Sequence, residues 1–385
     1  MQKIPKVILL IETSREFGRE LLRGVSRYSR LHGPWIFYRE PSGLFGRPLD
    51  LNKWQADGAI VRCDIVRPEE AAAKHLHAVF APRLGEHLPG VPCIIVNSIA
   101  AGEMGAEHLL DQGFKHFAFC GFSDIEWSKN CRDGFSKRVS KAGFEACLYE
   151  QPEALSKHSW LKEQEIVITW LKPLPKPIGV MVCTDYHGQL VLNGCKVAGI
   201  HVPEEVAVIG ILNDDIICNL FDPPLSSIAF NVEEAGYRAA ALLNKLMAGE
   251  RVSNQDIIVE PTHVVTRQST DVLVIEDHAV CQAVHFIRRS AKDGIQVTDV
   301  ADMVGLSRRA LEQHFRKTLG RSVLSEIKRV RVDLICQFLR ETNMSLAEIA
   351  SAVGLNSEKH IARLFRQRKG LNPSAYRRKY GHKQV

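Results

Sequence analysis

Two short stretches near the C-terminus carry side chains suited to reading the edges of nucleic-acid bases. The first holds Arg308, Arg309, Glu312 and Gln313, and the second Ser357, Glu358, Lys359, His360 and Arg363. Arginine can bond guanine O6 and N7, glutamine suits adenine, and glutamate accepts from cytosine N4. Each stretch also carries an apolar pair four residues apart, Leu311 with Phe315 and Ile361 with Phe365. On a helix that spacing puts the pair on one face, so the polar residues must point the other way. Arg316, Lys317, Arg321, Arg366, Arg368 and Lys369 are expected at the helix ends, where cations meet phosphates and fix register without reading sequence.

Such helices need a frame, and the sequence repeats one. Val300-Ala301-Asp302-Met303-Val304-Gly305-Leu306-Ser307 recurs 49 residues later as Ile349-Ala350-Ser351-Ala352-Val353-Gly354-Leu355-Asn356. Each copy runs on to a phenylalanine and a glycine, Phe315 and Gly320, then Phe365 and Gly370. An apolar helix, a turn at Gly and a second helix opened by Ser or Asn is the plan of a helix-turn-helix. The spacing predicts one unit over about 297–318 and another over about 345–369. Thr298 is the expected N-cap of the first helix and Ser307 that of its recognition helix, while Ser345-x-x-Glu348 reads as a capping box. Val280, Ala283, Val284 and Ile287 outline a leading helix, and Val323, Ile327, Val330, Leu334 and Phe338 one face of a long connector. With a last helix from Pro373 to about Tyr380, the expectation is seven short helices around two small cores.

Charge supports this reading. Residues 281–385 hold 21 Lys+Arg against 9 Asp+Glu, whereas residues 1–280 are net −6, so a basic module follows an acidic one. Several function classes lose support. No stretch approaches the roughly 18 apolar residues of a membrane span, and the apolar run Val7–Ile11 is too short for a secretory signal. The ten cysteines show no C-x-x-C pair or zinc spacing, so reduced thiols in a cytoplasmic chain are expected, with no metal and no cofactor. No G-x-x-x-x-G-K-[ST] or G-x-G-x-x-G follows a strand.

Residues 6–270 alternate β-branched runs with amphipathic stretches. Strands are expected at Val7–Ile11, Gly58–Val61, Cys93–Val96, His116–Cys120, Gly179–Cys183 and Val206–Ile211. Helices are expected at Arg15–Leu31, Met104–Gln112, Asn130–Lys141, His187–Ala198 and Val232–Ala248, with an exit strand and junction at Asp271–Asp277. Such alternation indicates βαβ units in two largely parallel sheets, where ligands sit beyond the C-terminal strand ends. The strand ends offer Ser14, Phe17, Asn97, Thr184, Asp185 and Asn213 as candidate ligand contacts. Asp185 and His187 with Asp214 and Asp215 could also be read as acid/base or metal groups, but they suit loop or hinge contacts better, and no catalytic role is assigned.

Residues 279–380 resemble the AraC-type DNA-binding domain, through Ile349-Ala350-x2-Val353-Gly354-Leu355-x8-Leu364-Phe365-x4-Gly370-Leu371-x-Pro373-x2-Tyr376-Arg377. The resemblance implies double-stranded DNA as partner, with base-reading positions at Arg309, Glu312 and Gln313, then at Lys359, His360 and Arg363. Residues 6–270 resemble the LacI/GalR-type ligand-binding half, a two-lobed periplasmic-binding-protein-like fold, through Ala106-Glu107-His108-Leu109-Leu110, Cys183-Thr184-Asp185 and Val202-Pro203-Glu204-x-Val206-Ala207-Val208-Ile209-Gly210. A sensor of that kind over 1–272, followed by an AraC-type domain over 278–385, is similar to the regulators of xylose operons. This implies a sugar-responsive activator, a homodimer and contact with RNA polymerase. Two positions depart from the pattern. Cys131 stands where an arginine commonly bonds the sugar, leaving Arg132 beside it, and Leu212 stands where an aspartate is common, followed by Asn213. A pentose, another small molecule and a sensor without ligand therefore stay open, as does, more remotely, a solute-binding protein.

Overall fold

The structure, a computed structural model, describes residues 4–39, 55–62, 76–83, 88, 90–151, 160–250, 256–272, 274, 277–355 and 357–380. The chain divides into two compact units, residues 1–110 with 114–272 and residues 111–113 with 273–385.

The first unit has two sheets of βα repeats. One has the order β2-β1-β3-β4, all parallel, with β1 at Lys6–Ile11, β2 at Ile36–Arg39, β3 at Gly58–Arg62 and β4 at His77–Phe80. A bridge from Phe80 to Cys93 joins it to β5 (Ile94–Val96), which pairs with a later strand, β11 (Ile257–Val259). The other sheet has the order β12-β10-β9-β8-β6-β7. Its strands are β6 (His116–Phe122), β7 (Ala146–Gln151), β8 (Ile178–Val182), β9 (Val206–Ile211), β10 (Ser226–Phe230) and the antiparallel β12 (Pro261–Val265). The six strands expected between Val7 and Ile211 are present, but β2, β4, β7, β10, β11 and β12 were not foreseen. Edge strands β2 and β7 leave apolar side chains such as Ile36, Phe37 and Leu148 exposed and lack the continuous burial of the central parallel strands.

Helices α1 (Glu16–His32), α2 (Ser98–Asp111), α3 (Glu126–Lys141), α4 (Trp160–Leu171), α5 (Asp185–Ala198), α6 (Asp215–Leu220) and α7 (Val232–Met247) connect these strands. Thr184 and Gly199 bound α5, the hydroxyl taking the His187 N–H and the glycine adopting the left-handed region at φ 69°. Where α2 meets α3 the backbones nearly touch, because a Cβ on Gly102 would lie 2.1 Å from the Cys131 carbonyl oxygen. The chain passes between the lobes at three places, Asn97 after β5, Asn231 after β10 and Glu260 after β11. The expected exit strand at Asp271–Asp277 is not found among its described residues 271, 272, 274 and 277.

The second unit is helical: α8 (His278–Ser290), α9 (Val297–Val304), α10 (Arg308–Leu319), α11 (Val323–Glu341), α12 (Leu346–Ala352), α13 (Glu358–Lys369) and α14 (Pro373–Tyr380). Two cores hold it. One gathers Val280, Ile287, Val300, Leu311, Phe315 and Ile327, the other Ile335, Leu339, Ile349, Val353, Ile361 and Phe365. The connector α11 serves both cores. Val323, Ile327 and Val330 enter the first, Leu334 and Phe338 flank the cores, and Val332, Ile335, Cys336 and Leu339 form a second face that the single expected stripe did not show. The first capping expectation needs correction. Gln296, not Thr298, caps α9, in a reciprocal pair with Asp299. Ser307 and the Ser345–Glu348 box cap as expected.

Candidate DNA interface and effector cleft

The recognition helices α10 and α13 are built alike. Leu311, Phe315, Ile361 and Phe365 are fully buried, and truncating such a phenylalanine costs about 3–5 kcal/mol. Gly320 and Gly370 end the helices in the left-handed region, their N–H groups bonding Arg316 and Arg366 carbonyls. The opposite faces stay open. Arg308, Arg309 and Gln313 are exposed on α10, and Lys359 and Arg363 on α13, with His360 half-buried. Glu312 is half-buried too, with one carboxylate oxygen enclosed and no hydrogen-bond partner. Ser357 is exposed but accepts the His360 N–H at 3.3 Å, so it starts the helix. The partner position Asn356 lies outside the described residues.

The basic residues beyond these faces divide into two groups. Arg316, Lys317, Arg366 and Lys369 are exposed, as a phosphate contact requires. Arg321 is committed elsewhere, its Nε donating to the buried Glu326 at 2.7 Å. Arg329 pairs with the same carboxylate at 2.7 Å. Burial opposes ionisation of Glu326, but bonds and charge from Arg329 and Arg321 hold its carboxyl below the ordinary range. Arg368 bonds the Ser325 carbonyl and hydroxyl at 2.9 Å and fastens α13 to α11.

In the first unit the lobes meet along the C-terminal strand ends. The Asp214 carboxylate takes the Glu16 N–H and Arg19, each at 2.9 Å. The Arg15 guanidinium lies 5.0 Å from the centre of the Tyr186 ring. The Trp127 indole donates to the Arg83 carbonyl at 3.1 Å. Between these contacts lie Phe17, with Arg62 stacked 4.0 Å over its ring, and Phe122, edge-on to Trp127 and His187. Arg62 also donates to Glu12 at 3.0 Å.

The sequence-chosen ligand residues fall into different places. Ser14 is exposed on the β1–α1 loop, and Phe17 is buried beneath Arg62. Asn97 serves the hinge: its amide donates to Glu260 at 2.9 Å and its oxygen caps α2, while Asn231 accepts the Glu260 N–H. Thr184 is a helix cap. Asp185 is enclosed, accepting from the Ser227 hydroxyl at 2.6 Å and the Asp214 N–H at 2.9 Å. Burial pushes its carboxyl up to about 7 against those bonds. His187 beside it is held down at about 4 by burial, hence neutral near pH 7. Arg132 is paired with Glu150 and Asp133, and Cys131 is fully buried beside the α2 seam, so α3 offers no uncommitted guanidinium. Asn213 has φ 49°, and its side-chain oxygen is enclosed without a partner. Sequence reasoning missed Glu12, Arg62, Phe122, Trp127 and Tyr186. The available signal was a polar or aromatic residue directly after an apolar strand, as in Val61-Arg62. The described residues contain no group of three or more His, Cys, Asp or Glu placed to hold a metal, and no helix long and apolar enough to cross a membrane.

Two βα lobes joined by three crossings, with a separate unit bearing two recognition helices, define a DNA-binding transcription regulator with a ligand-sensing domain. The chain matches the periplasmic binding protein-like domain family over residues 106–270 and a helix-turn-helix domain family over 300–379. It is 30% identical to the xylose operon regulatory protein of Haemophilus influenzae over 97% of this chain and 98% of that one. It is also 30% identical to the protein of that name in Escherichia coli K12, over 97% and 96%. Among solved structures it is similar to the xylose-binding transcription activator xylR, with 29% identity, a TM-score of 0.61 and coverage of 99% and 100%. The chain belongs to the family of xylose operon regulatory proteins.

Proposed function

We propose that this chain is a cytoplasmic, sugar-responsive activator of transcription that works as a homodimer and contacts RNA polymerase. One observation carries the DNA half of the reading: two capped helices whose polar faces stand open over fully buried Leu311, Phe315, Ile361 and Phe365. Arg309 and Gln313, with Arg308 and Glu312 beside them, read one major-groove segment, and Lys359, His360 and Arg363 read the next. Ser357 positions the second helix. In the sensing half, a pentose enters between the strand ends near Ser14, Phe17, Arg62 and Asn213. The cross-lobe contacts of Asp214, Tyr186 and Trp127 make and break as the lobes move, with Asn97, Asn231 and Glu260 as hinge. Ligand shifts the output only if it binds the two lobe arrangements unequally. Asp185 and Thr184 shape the loops, and Arg132 braces α3. The relatives are regulators by name, and no step of chemistry is assigned to this cleft.

The test is fluorescence anisotropy on DNA selected by the purified full-length protein from random sequence, with and without xylose and other pentoses at fixed salt. The expected result is specific binding about 1,000-fold or more above nonspecific, changed several-fold by a pentose. Affinity unchanged by every sugar would sink the sensing half.

A further inference from the structure

Helix α1 is not capped from its own sequence. Its N-cap residue, Arg15, makes no side-chain bond to the first turn, although Thr13 and Ser14 stand just before it. The first N–H groups of a helix need partners from outside it. Here the partner comes from the opposite lobe. One oxygen of the Asp214 carboxylate takes the Glu16 N–H at 2.9 Å, and the other takes Arg19 at 2.9 Å. Arg19 is steadied for this contact by Glu16 at 2.7 Å and by the Thr13 carbonyl at 3.0 Å.

Asp214 reaches α1 because the chain before it is forced to turn. Leu212 has φ 91° and Asn213 φ 49°, both in the left-handed region that favours glycine. Such strain persists only where the surrounding bonds over-determine it. The Leu212 N–H donates to the Ile228 carbonyl at 2.9 Å, the Asn213 N–H to the Ser227 hydroxyl at 3.0 Å and the Asp214 N–H to Asp185 at 2.9 Å. Asp185 is itself fixed by the Ser227 hydroxyl at 2.6 Å. Within its own lobe the Asp214 carboxylate is less well served, since the Ile217 N–H at the start of α6 lies 3.4 Å away. Only 7% of the Asp214 side chain is exposed and 21% of Arg19, so solvent and salt screen this pair less than a surface one. Arg15 on Tyr186 and Trp127 on the Arg83 carbonyl also cross the cleft, but both contacts are open to solvent.

A carboxylate at a helix N-terminus and a charge-assisted bond to arginine each favour the arrangement in which the groups meet. We propose that Asp214 is a clasp that closes the sensor before any ligand arrives, by capping α1 of the opposite lobe and pairing with Arg19. The ligand-free cleft is then mostly shut, and the effector binds a conformation that is already populated. Breaking the clasp lowers the closed fraction and weakens apparent affinity by the same factor. The strained turn at Leu212 and Asn213 holds the carboxylate out across the cleft for this purpose. This rests on the cleft being the effector site and adds what holds that site closed.

The experiment is single-molecule energy transfer in the full-length protein, with labelled chains diluted in unlabelled ones. The dyes sit on keto-bearing residues introduced at the exposed positions of Arg30 in α1 and Lys141 in α3, one on each lobe. Ligand-free native protein should show mainly the short-distance population. Asp214→Ser should lose much of it, because serine can still start α6 but is too short and uncharged to hold α1 and Arg19. D-xylose should restore the short distance in that variant, binding several-fold more weakly than to the native protein in a calorimetric titration. Should Asp214→Ser be too unstable, Arg19→Gln on the other lobe should shift the distances the same way, by less because the Glu16 N–H bond remains. Ligand-free distances that match in native protein and variant, or a native protein already open, would overturn the clasp and leave the sugar-sensor reading standing. Xylose that binds no form would count against the sugar reading, and the ligand-free distances would still decide the clasp.

Discussion

The two helix-turn-helix units share one plan but rest on different supports. In the first, the turn glycine Gly305 has φ 69° and open space around it. In the second, Gly354 has φ 67°, and a Cβ there would lie 2.4 Å from the Gly294 nitrogen and 2.7 Å from the Lys292 carbonyl oxygen. The position before the core phenylalanine also differs. His314 bonds Asp277 at 2.5 Å, whereas its counterpart Leu364 is buried. The connector α11 treats the halves separately as well. Arg331 donates to the Ala291 and Ile295 carbonyls of the first half, and Arg340 to the Tyr376 hydroxyl of the second. A duplicated sequence therefore gives two recognition helices with the same internal geometry but different neighbours, and each can be perturbed alone.

The largest expected contrast is at the turn glycines. Gly305→Ala meets only the left-handed backbone penalty and should cost about 1 kcal/mol. Gly354→Ala adds an encounter with backbone that cannot rotate away, for a total of about 2–4 kcal/mol. Chemical denaturation followed by circular dichroism checks this, and equal losses would break the asserted difference in support. Next come the caps. Ser307→Ala and Ser357→Ala remove the same hydrogen bond, to Ala310 N–H and His360 N–H, and should each cost about 1 kcal/mol. A loss of operator affinity much beyond that cost in Ser357→Ala alone would reveal a DNA contact by this hydroxyl.

The smallest contrast is a pH effect confined to the first half. Burial opposes ionisation of Asp277, but bonds from Val280 N–H, His314 and Ala279 N–H outweigh it and hold the carboxyl below its ordinary value. A depressed carboxyl stabilises the fold above its unfolded pKa of about 4 and loses that contribution as pH falls through the lower folded value. Stability followed below about pH 4 should therefore decline more gently in Asp277→Asn, and parallel curves would show that the contact adds nothing.

What the sequence revealed follows from how local each signal is. Caps such as Ser307 and Ser345 act within four residues, and the spacing of Leu311 and Phe315 is one helical turn, so both could be read directly. The second face of α11 could not, because two interleaved apolar stripes on one helix resemble a single broad one. Gln296 lost to Thr298 in the sequence reading since Thr is the stronger cap by type, and only the bond from Asp299 back to the Gln296 N–H shows the helix starting earlier. The cleft was hardest to read. Asn97, chosen as a ligand group, bonds Glu260 from 163 residues away, and Arg62 enters the cleft only because β3 lies beside β1. Such pairings depend on sheet order and leave no mark within a short window of sequence.

The central claim is that one chain carries two recognition helices reading different bases. Affinity for every single-base variant of the selected operator, measured at fixed salt for the native protein, Arg309→Ala and Arg363→Ala, tests it most directly. Each variant should lose about 1–3 kcal/mol of binding. Each should also lose base discrimination at its own position, the two lying about one helical turn apart. Unchanged discrimination in both variants, or loss at one shared position, would contradict the account.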